Sequence, residues 1–209
     1  MNTIFTAIRQ HNLELVAEML KSGIEVNTHL PNPPCWTPLQ EAIDELDDGG
    51  SVQIVELLLQ SQADVNAWDL LQNSNPLLMA IWGEHDDVLQ ILLQAGANPN
   101  IRDQEGNSPL RLSVEQENIN MVKLLLEHGA KATIDDAGGF RGMNALGIAV
   151  SKLNIAIVEM LLNAGANSEV IDHDYRKPLQ RIPEDADTKI KEKLKDLLLQ
   201  YQCDRFVVA

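Results

Sequence analysis

Few residues in this chain have the types and spacing to do chemistry. Glu84-His85-Asp86-Asp87 gathers three carboxylates around an imidazole, a set that could hold a cation. The same acids would also open a helix, whose N-terminus favours negative charge. The five histidines (His11, His29, His85, His128, His173) show no i, i+4 pair of the kind that binds zinc. Gly138-Gly139-Phe140-Arg141-Gly142 is rich in glycine, but no strand precedes it and no helix follows it as a nucleotide loop requires. There is no Gly-x-x-x-x-Gly-Lys loop, and nothing singles out a Ser/His/Asp triad. The expectation is therefore a protein that is not an enzyme, with no cofactor and no metal. A metal or enzyme site on Glu84, His85 and Asp86 stands as the alternative of another class.

The elements that must carry any site are repeats. Thr37-Pro38-Leu39, Asn75-Pro76-Leu77, Ser108-Pro109-Leu110, Asn144-Ala145-Leu146 and, more weakly, Lys177-Pro178-Leu179 share one pattern. A hydroxyl or amide residue caps a helix, and proline fits the next position because its missing N–H would be unpaired there anyway. An apolar run follows each, as in Ile54-Val55-Glu56-Leu57-Leu58-Leu59. Taking Val16, Val55, Leu89, Val122, Val158 and Lys195 as markers, the separations are 39, 34, 33, 36 and 37 residues. From cap to marker the distance is 14 for Asn2, Asn75, Ser108 and Asn144, and 18 for Thr37. Gly23, Gly96, Gly129 and Gly165 are placed to end the second helices in the left-handed conformation. Units this small cannot bury their own apolar faces and must stack.

The run Gly96-Ala97-Asn98-Pro99-Asn100 through Gly106-Asn107-Ser108-Pro109-Leu110 carries a resemblance: the chain is similar to ankyrin repeats over nearly its whole length. The resemblance implies an all-α solenoid of helix-turn-helix units with hairpin-like fingers, and a concave face made by fingers and first helices. The units fall near 1–34, 35–73, 74–106, 107–142, 143–175 and 176–209, in a single domain. The family's His after Pro-Leu is absent, its column holding Gln40, Leu78, Arg111, Gly147 and Gln180. That departure puts the family's His-centred bonding between repeats in doubt. The family's finger-bracing Asn persists as Asn27, Asn66 and Asn100, then becomes Thr133 and Glu169.

The chain has 209 residues, 31 acidic and 16 basic, for a formal net charge of −15. A basic face for nucleic-acid phosphates is lacking, whereas a basic protein would be attracted. Cys35 and Cys203 lie near opposite ends of the repeat array, too far apart along a stack to pair, which fits a reducing compartment. The chain begins directly in a repeat, and no apolar run nears 18 residues. A cytoplasmic location without membrane contact is expected; the oligomeric state stays open, with a monomer favoured. Lys189, Lys191, Lys193 and Lys195 read as the solvated face of a terminal unit.

Recognition should lie where the pattern breaks. Trp36, Trp68, Phe140 and Tyr175 fall in fingers, and Trp82 ends a first helix. Trp36, next to Pro33-Pro34, could equally pack finger on finger. The turns between helices carry Glu41, Asp44, Glu45, Asp47 and Asp48, then Glu84, Asp86 and Asp87, then Glu115 and Glu117. The expected binding set is Trp68, Leu70, Leu71, Met79 and Trp82 as anchors, with Phe140, Arg141 and Tyr175 in later fingers. Asp44, Glu45, Asp47, Asp48, Glu84, Asp86 and Glu115 form an acidic ridge that steers a basic protein partner. A neutraliser of a basic toxin or nuclease, and a scaffold joining several proteins, are the rival binding roles.

Overall fold

The computed structural model describes residues 3–139 and 142–207, with side chains as far as residue 202. Its residues cluster into two compact units, Met1–Asn98 and Pro99–Ala209. The first holds α1 (Ile4–Arg9), α2 (Leu13–Lys21), α3 (Pro38–Asp44), α4 (Val52–Gln60), α5 (Pro76–Trp82) and α6 (Asp86–Gln94). The second holds α7 (Pro109–Glu115), α8 (Ile119–Glu127), α9 (Ala145–Ser151), α10 (Ile155–Asn163) and α11 (Thr188–Val207), with a 3-10 turn at Pro178–Arg181. In the first unit α3 packs between α1 and α5, and α4 between α2 and α6. In the second, α9 packs on α7 and on the 3-10 turn, and α10 on α8 and α11.

The caps explain why each helix starts where it does. Thr37, Asn75, Ser108 and Asn144 each accept a backbone N–H from the first turn of α3, α5, α7 and α9. Thr37 adds a capping box with Gln40. α1 is capped by Thr3, which replaces Asn2 in the expected pattern; Asn2 lies outside the described residues. The last repeat departs further, because Lys177-Pro178-Leu179 opens a single 3-10 turn rather than a full first helix.

The stripe of the second helices forms the core. Val16, Val55, Leu89, Val122 and Val158 are all fully buried, each contributing about 1.5–3 kcal/mol of burial. In the last repeat the buried column is occupied by Leu194, one residue before the expected Lys195, which is exposed.

Two side-chain series tie neighbouring repeats together. Asn27 Nδ2 donates to Gln62 O (3.2 Å) and its Oδ1 accepts from Asp64 N (2.8 Å). Asn66 does the same with Gly96 O and Asn98 N, and Asn100 with Gly129 O and Ala132 N. Thr133 breaks this series with a buried hydroxyl that has no partner among the described residues; two residues further on, Asp135 accepts from Asn167 N at 2.8 Å. The second series fills the missing-His column. Gln40 Nε2 donates to Ser74 O at 2.8 Å, and Arg111 Nε to Met143 O at 2.9 Å. Bonding between repeats thus survives at two positions of that column with other donors.

Asp69, Asp103 and Asp172 shape the fingers. The Asp69 carboxylate accepts the N–H groups of Leu71, Asn73 and Ser74; Asp103 those of Glu105 and Asn107; Asp172 those of Asp174 and Arg176. Each closes the finger that leads into the next cap. In the second unit the finger before α9 forms a short antiparallel ladder, β1 (Ala137–Gly138) with β2 (Met143–Asn144), pairing Ala137 with Asn144 and Gly138 with Met143.

Candidate partner-binding site

The extra residues between α3 and α4 fold into an ordered turn. Asp48 N donates to Glu45 O at 3.1 Å, and Gly50 N donates to the same oxygen at 2.7 Å. Gly49 takes φ +93°, and a Cβ on Gly50 would sit 2.6 Å from Glu45 O, so the Gly49-Gly50 pair is what lets the chain turn back. This turn carries Asp47 and Asp48 outward. On the neighbouring repeat, α5 stops at Gly83, Glu84 takes φ +56°, and His85 occupies the N-cap position of α6 without a side-chain cap bond. A Cβ on Gly83 would lie 2.6 Å from His85 Nε2, so the imidazole packs directly over that glycine.

Between α3 and α5 this leaves a cleft of ≈ 240 Å³. Trp36 and Ser74 enter from the fingers, Ile43, Asp44 and Asp47 from α3 and its turn, and Met79, Trp82, Gly83 and His85 from α5 and the turn after it. Trp82 is 45% exposed, whereas Met79 is 8% exposed and serves as floor, not as a projecting anchor. His85 Nε2 lies 3.4 Å from Asp47 Oδ1. Among the described residues no hydrogen bond or ion pair engages the Asp44 carboxylate. Burial, and then the negative neighbours Glu41, Glu45, Asp47 and Asp48, hold its pKa above the ordinary aspartate value.

Of the residues expected to bind, the cleft therefore unites Asp44, Asp47, Met79 and Trp82, and it adds Trp36 and His85. Glu45 is engaged by His11 Nε2 at 3.0 Å. Glu41 is corrected: it lies within α3, not in a solvated turn, and is buried against Arg9, with one carboxylate oxygen unpartnered. Leu70 and Leu71 stand at the tip of the finger closed by Asp69, exposed by 61% and 47%, with Trp68 half-buried at its base. Glu84 is exposed in the turn before α6, and Asp86, with Asp87, forms the first turn of that helix. In the second unit Glu115 pairs with Arg111 at 3.2 Å, and Tyr175 is a finger-tip residue 83% exposed. Phe140 and Arg141 lie outside the described residues.

A larger hollow of ≈ 660 Å³ opens in the second unit beside Arg176, Arg181 and Glu184. Its central cation is already committed, since Arg181 binds both Asp172 and Asp174. The cleft of the first unit is the better candidate because, among the described residues, no lysine or arginine pairs with Asp44 or Asp47. No group of three metal-ligating side chains is found among the described residues, and none of their helices is long and apolar enough to cross a membrane.

The repeated cap, core and finger define a class: stacked helix-turn-helix repeat proteins. The chain belongs to the ankyrin repeat family. The model "Ankyrin repeats (3 copies)" matches residues 77–172 and the single "Ankyrin repeat" model residues 35–70. The chain is 38% identical over 93 residues to the putative ankyrin repeat protein YahD of Escherichia coli, covering 44% of this chain and 45% of that protein. It is 34% identical over 98 residues to ankyrin repeat and SOCS box protein 2 of Bos taurus, covering 47% of this chain and 14% of that protein. The matched stretch is thus less than half the length of these relatives. Among solved structures, an ankyrin repeat domain of Acinetobacter baumannii superposes with a TM-score of 0.79 at 25% identity, covering 95% of this chain and 97% of that one. The ankyrin repeat protein EF0377 gives 0.75 at 26% identity, covering 95% and 96%. These likenesses define an all-α repeat solenoid. Ankyrin repeats are generally protein-interaction modules, and the fold is typically a non-enzymatic scaffold.

Proposed function

We propose that the chain is a protein-binding module whose first unit docks a basic partner protein. One observation carries this reading: charge is distributed very unevenly along the chain. Residues 1–98 contain 14 acids and only 2 bases, Arg9 and Lys21, a formal net charge of −12; residues 99–209 contain 17 acids and 14 bases, a net charge of −3. Half of the first unit's acids (Asp44, Glu45, Asp47, Asp48, Glu84, Asp86, Asp87) belong to the end of α3, the turn after it and the turn that opens α6. A field of one sign steers an oppositely charged partner, and exposed aromatic and leucine side chains supply the anchors once it arrives. Trp82, Leu70 and Leu71 are such anchors, presented on capped helices and hydrogen-bonded fingers, so little conformational entropy is lost on binding.

The test is a titration of the partner captured from native extract against three proteins. The Asp44→Asn/Asp47→Asn/Asp48→Asn variant should weaken binding about tenfold or more. A control neutralised in the second unit, Glu184→Gln/Asp185→Asn, should bind within about twofold of the unaltered chain. Equal losses in the two variants, or an acidic partner, would overturn the reading.

A further inference from the structure

We infer that the α3–α5 cleft is an arginine pocket, receiving one guanidinium of the partner against Trp36 and Trp82 and pairing it with Asp44 and Asp47. This rests on the reading that the first unit binds a basic protein, and it names the side chain that does the recognition. At ≈ 240 Å³ the cleft is below the roughly 300–1,000 Å³ typical of small-molecule sites and suits a single long side chain. Its lining joins two indoles and a thioether with two carboxylates. A cation is attracted to the face of an aromatic ring, most strongly to tryptophan, and more so when partly desolvated. A guanidinium is planar, weakly hydrated and forked, so one face can stack while its edge reaches carboxylate oxygens; an ammonium cannot do both.

Among the described residues no lysine or arginine lines the cleft. Of the two bases in the first unit, Arg9 is held by Glu41, and Lys21 ends α2 and lines no part of the cleft. Asp44 keeps an unpaired carboxylate among four acidic neighbours, an arrangement that an incoming cation would relieve. Among the described residues the Asp47 carboxylate meets only His85, at 3.4 Å, a contact long enough for a better donor to replace. Gly83 leaves room for the imidazole, since a Cβ there would lie 2.6 Å from His85 Nε2. The backbone of Trp36 is fixed in its finger by the Leu30 N–H, which donates to its carbonyl at 2.9 Å.

The experiment uses the full chain and reads the indole N–H resonances of Trp36, Trp68 and Trp82 by NMR, assigned with Trp→Phe variants. The probes are N-acetyl-arginine amide, N-acetyl-lysine amide and the uncharged isostere N-acetyl-citrulline amide. Arginine amide should shift the Trp36 and Trp82 signals saturably, leave Trp68 unmoved, and bind at least about fivefold more tightly than either other probe. Asp44→Asn/Asp47→Asn, confirmed as folded by its spectral dispersion, should lose the response. Equal responses to arginine and citrulline amides, equal responses to arginine and lysine amides, or no shift up to about 100 mM would each overturn the pocket. If the probes fail while the triple Asn variant still loses the partner, the pocket falls and the basic-partner reading stands.

Discussion

Arg111 Nε donates to the carbonyl oxygen of Met143 at 2.9 Å, which places a guanidinium from one repeat on the residue before the next repeat's cap, Asn144. Gln40 makes the equivalent bond to Ser74, the residue before Asn75, at 2.8 Å. The column therefore needs a donor long enough to cross between repeats, and histidine is not the sole solution. Arg111 is buried and also serves Asn107 and Glu115. Arg111→Ala should cost about 2–3 kcal/mol, because a charged donor is lost and the Met143 carbonyl is left unpaired. Arg111→Gln, copying Gln40, should recover part of that loss. Urea unfolding of the two variants checks this, and equal stabilities would show that the crossing bond contributes nothing.

The repeats, their caps and their buried stripe were legible in the residues, because capping and helical periodicity are local. Thr37, Asn75, Ser108 and Asn144 announced helices, and Gly23, Gly96, Gly129 and Gly165 ended them with positive φ. The cleft was only partly legible. Asp44, Asp47, Met79 and Trp82 were singled out, but Trp36 could not be placed, since the path of its finger through Pro33-Pro34 has no local signature. Met79 was expected to project and instead forms the floor, because it lies on a helix face and periodicity does not say which face meets the next repeat. The finger-closing Asp69, Asp103 and Asp172 stand five or six residues before a cap, a spacing that marks them only once the finger bonds are seen. The division of charge was visible in the sequence only once the boundary near residue 98 was known.

Asn66 bridges to the next repeat with both ends of its amide, 3.2 Å to Gly96 O and 2.8 Å to Asn98 N. Both bonds need an amide, since a carboxylate can accept from Asn98 but cannot donate to Gly96. Asn66→Asp should therefore cost about 1 kcal/mol and Asn66→Ala about 1–2 kcal/mol, at the modest net value of exposed bonds. Hydrogen exchange at Asn98 should speed up in the alanine variant and stay slower in the aspartate variant. Identical exchange in the two would remove the acceptor bond from this account.

Asp44 should weaken the fold at neutral pH. Its carboxyl is held above the ordinary aspartate pKa by burial and by its acidic neighbours, so the folded state binds the proton more tightly than the unfolded chain. Stability is then lost as pH rises from the ordinary value near 4 through the raised folded value, and the penalty is fully present above it. Asp44→Asn should stabilise the protein by up to about 0.5 kcal/mol at pH 7, a small figure because the side chain is only partly withdrawn from solvent. The gain should vanish below about pH 3. Melting curves at pH 3 and pH 7 provide the check, and a variant less stable at pH 7 would contradict the repulsion.

Association with a basic partner should slow as salt rises, since the Debye length shortens from about 10 Å at 0.1 M to about 3 Å at 1 M. Dissociation, set by Trp82 and the cleft, should change much less. Trp82→Ala should do the reverse, speeding dissociation and leaving both the salt slope and the melting transition nearly unchanged, because the side chain is half exposed. Stopped-flow rates across a salt series separate the two, and a salt-independent on-rate would remove the steering role of the acids.

The last repeat offers a test of register. Leu194 and Leu198 of α11 are buried, four residues apart and so on one face of the helix, whereas Lys195 points to solvent. The column of Val16, Val55, Leu89, Val122 and Val158 therefore ends at Leu194, 36 residues after Val158. A shift of one residue turns a helix by about 100°, so only one of the two positions can face α10. Leu194→Ala should cost about 2–5 kcal/mol through lost burial and the cavity left behind. Lys195→Ala should change stability by less than about 0.5 kcal/mol, and Lys193→Ala, which breaks a 3.2 Å pair with Glu159, by no more than about 1 kcal/mol. Urea unfolding followed by far-UV circular dichroism measures all three. A Lys195 variant as damaging as the Leu194 variant would return the column to Lys195 and rotate α11 against α10.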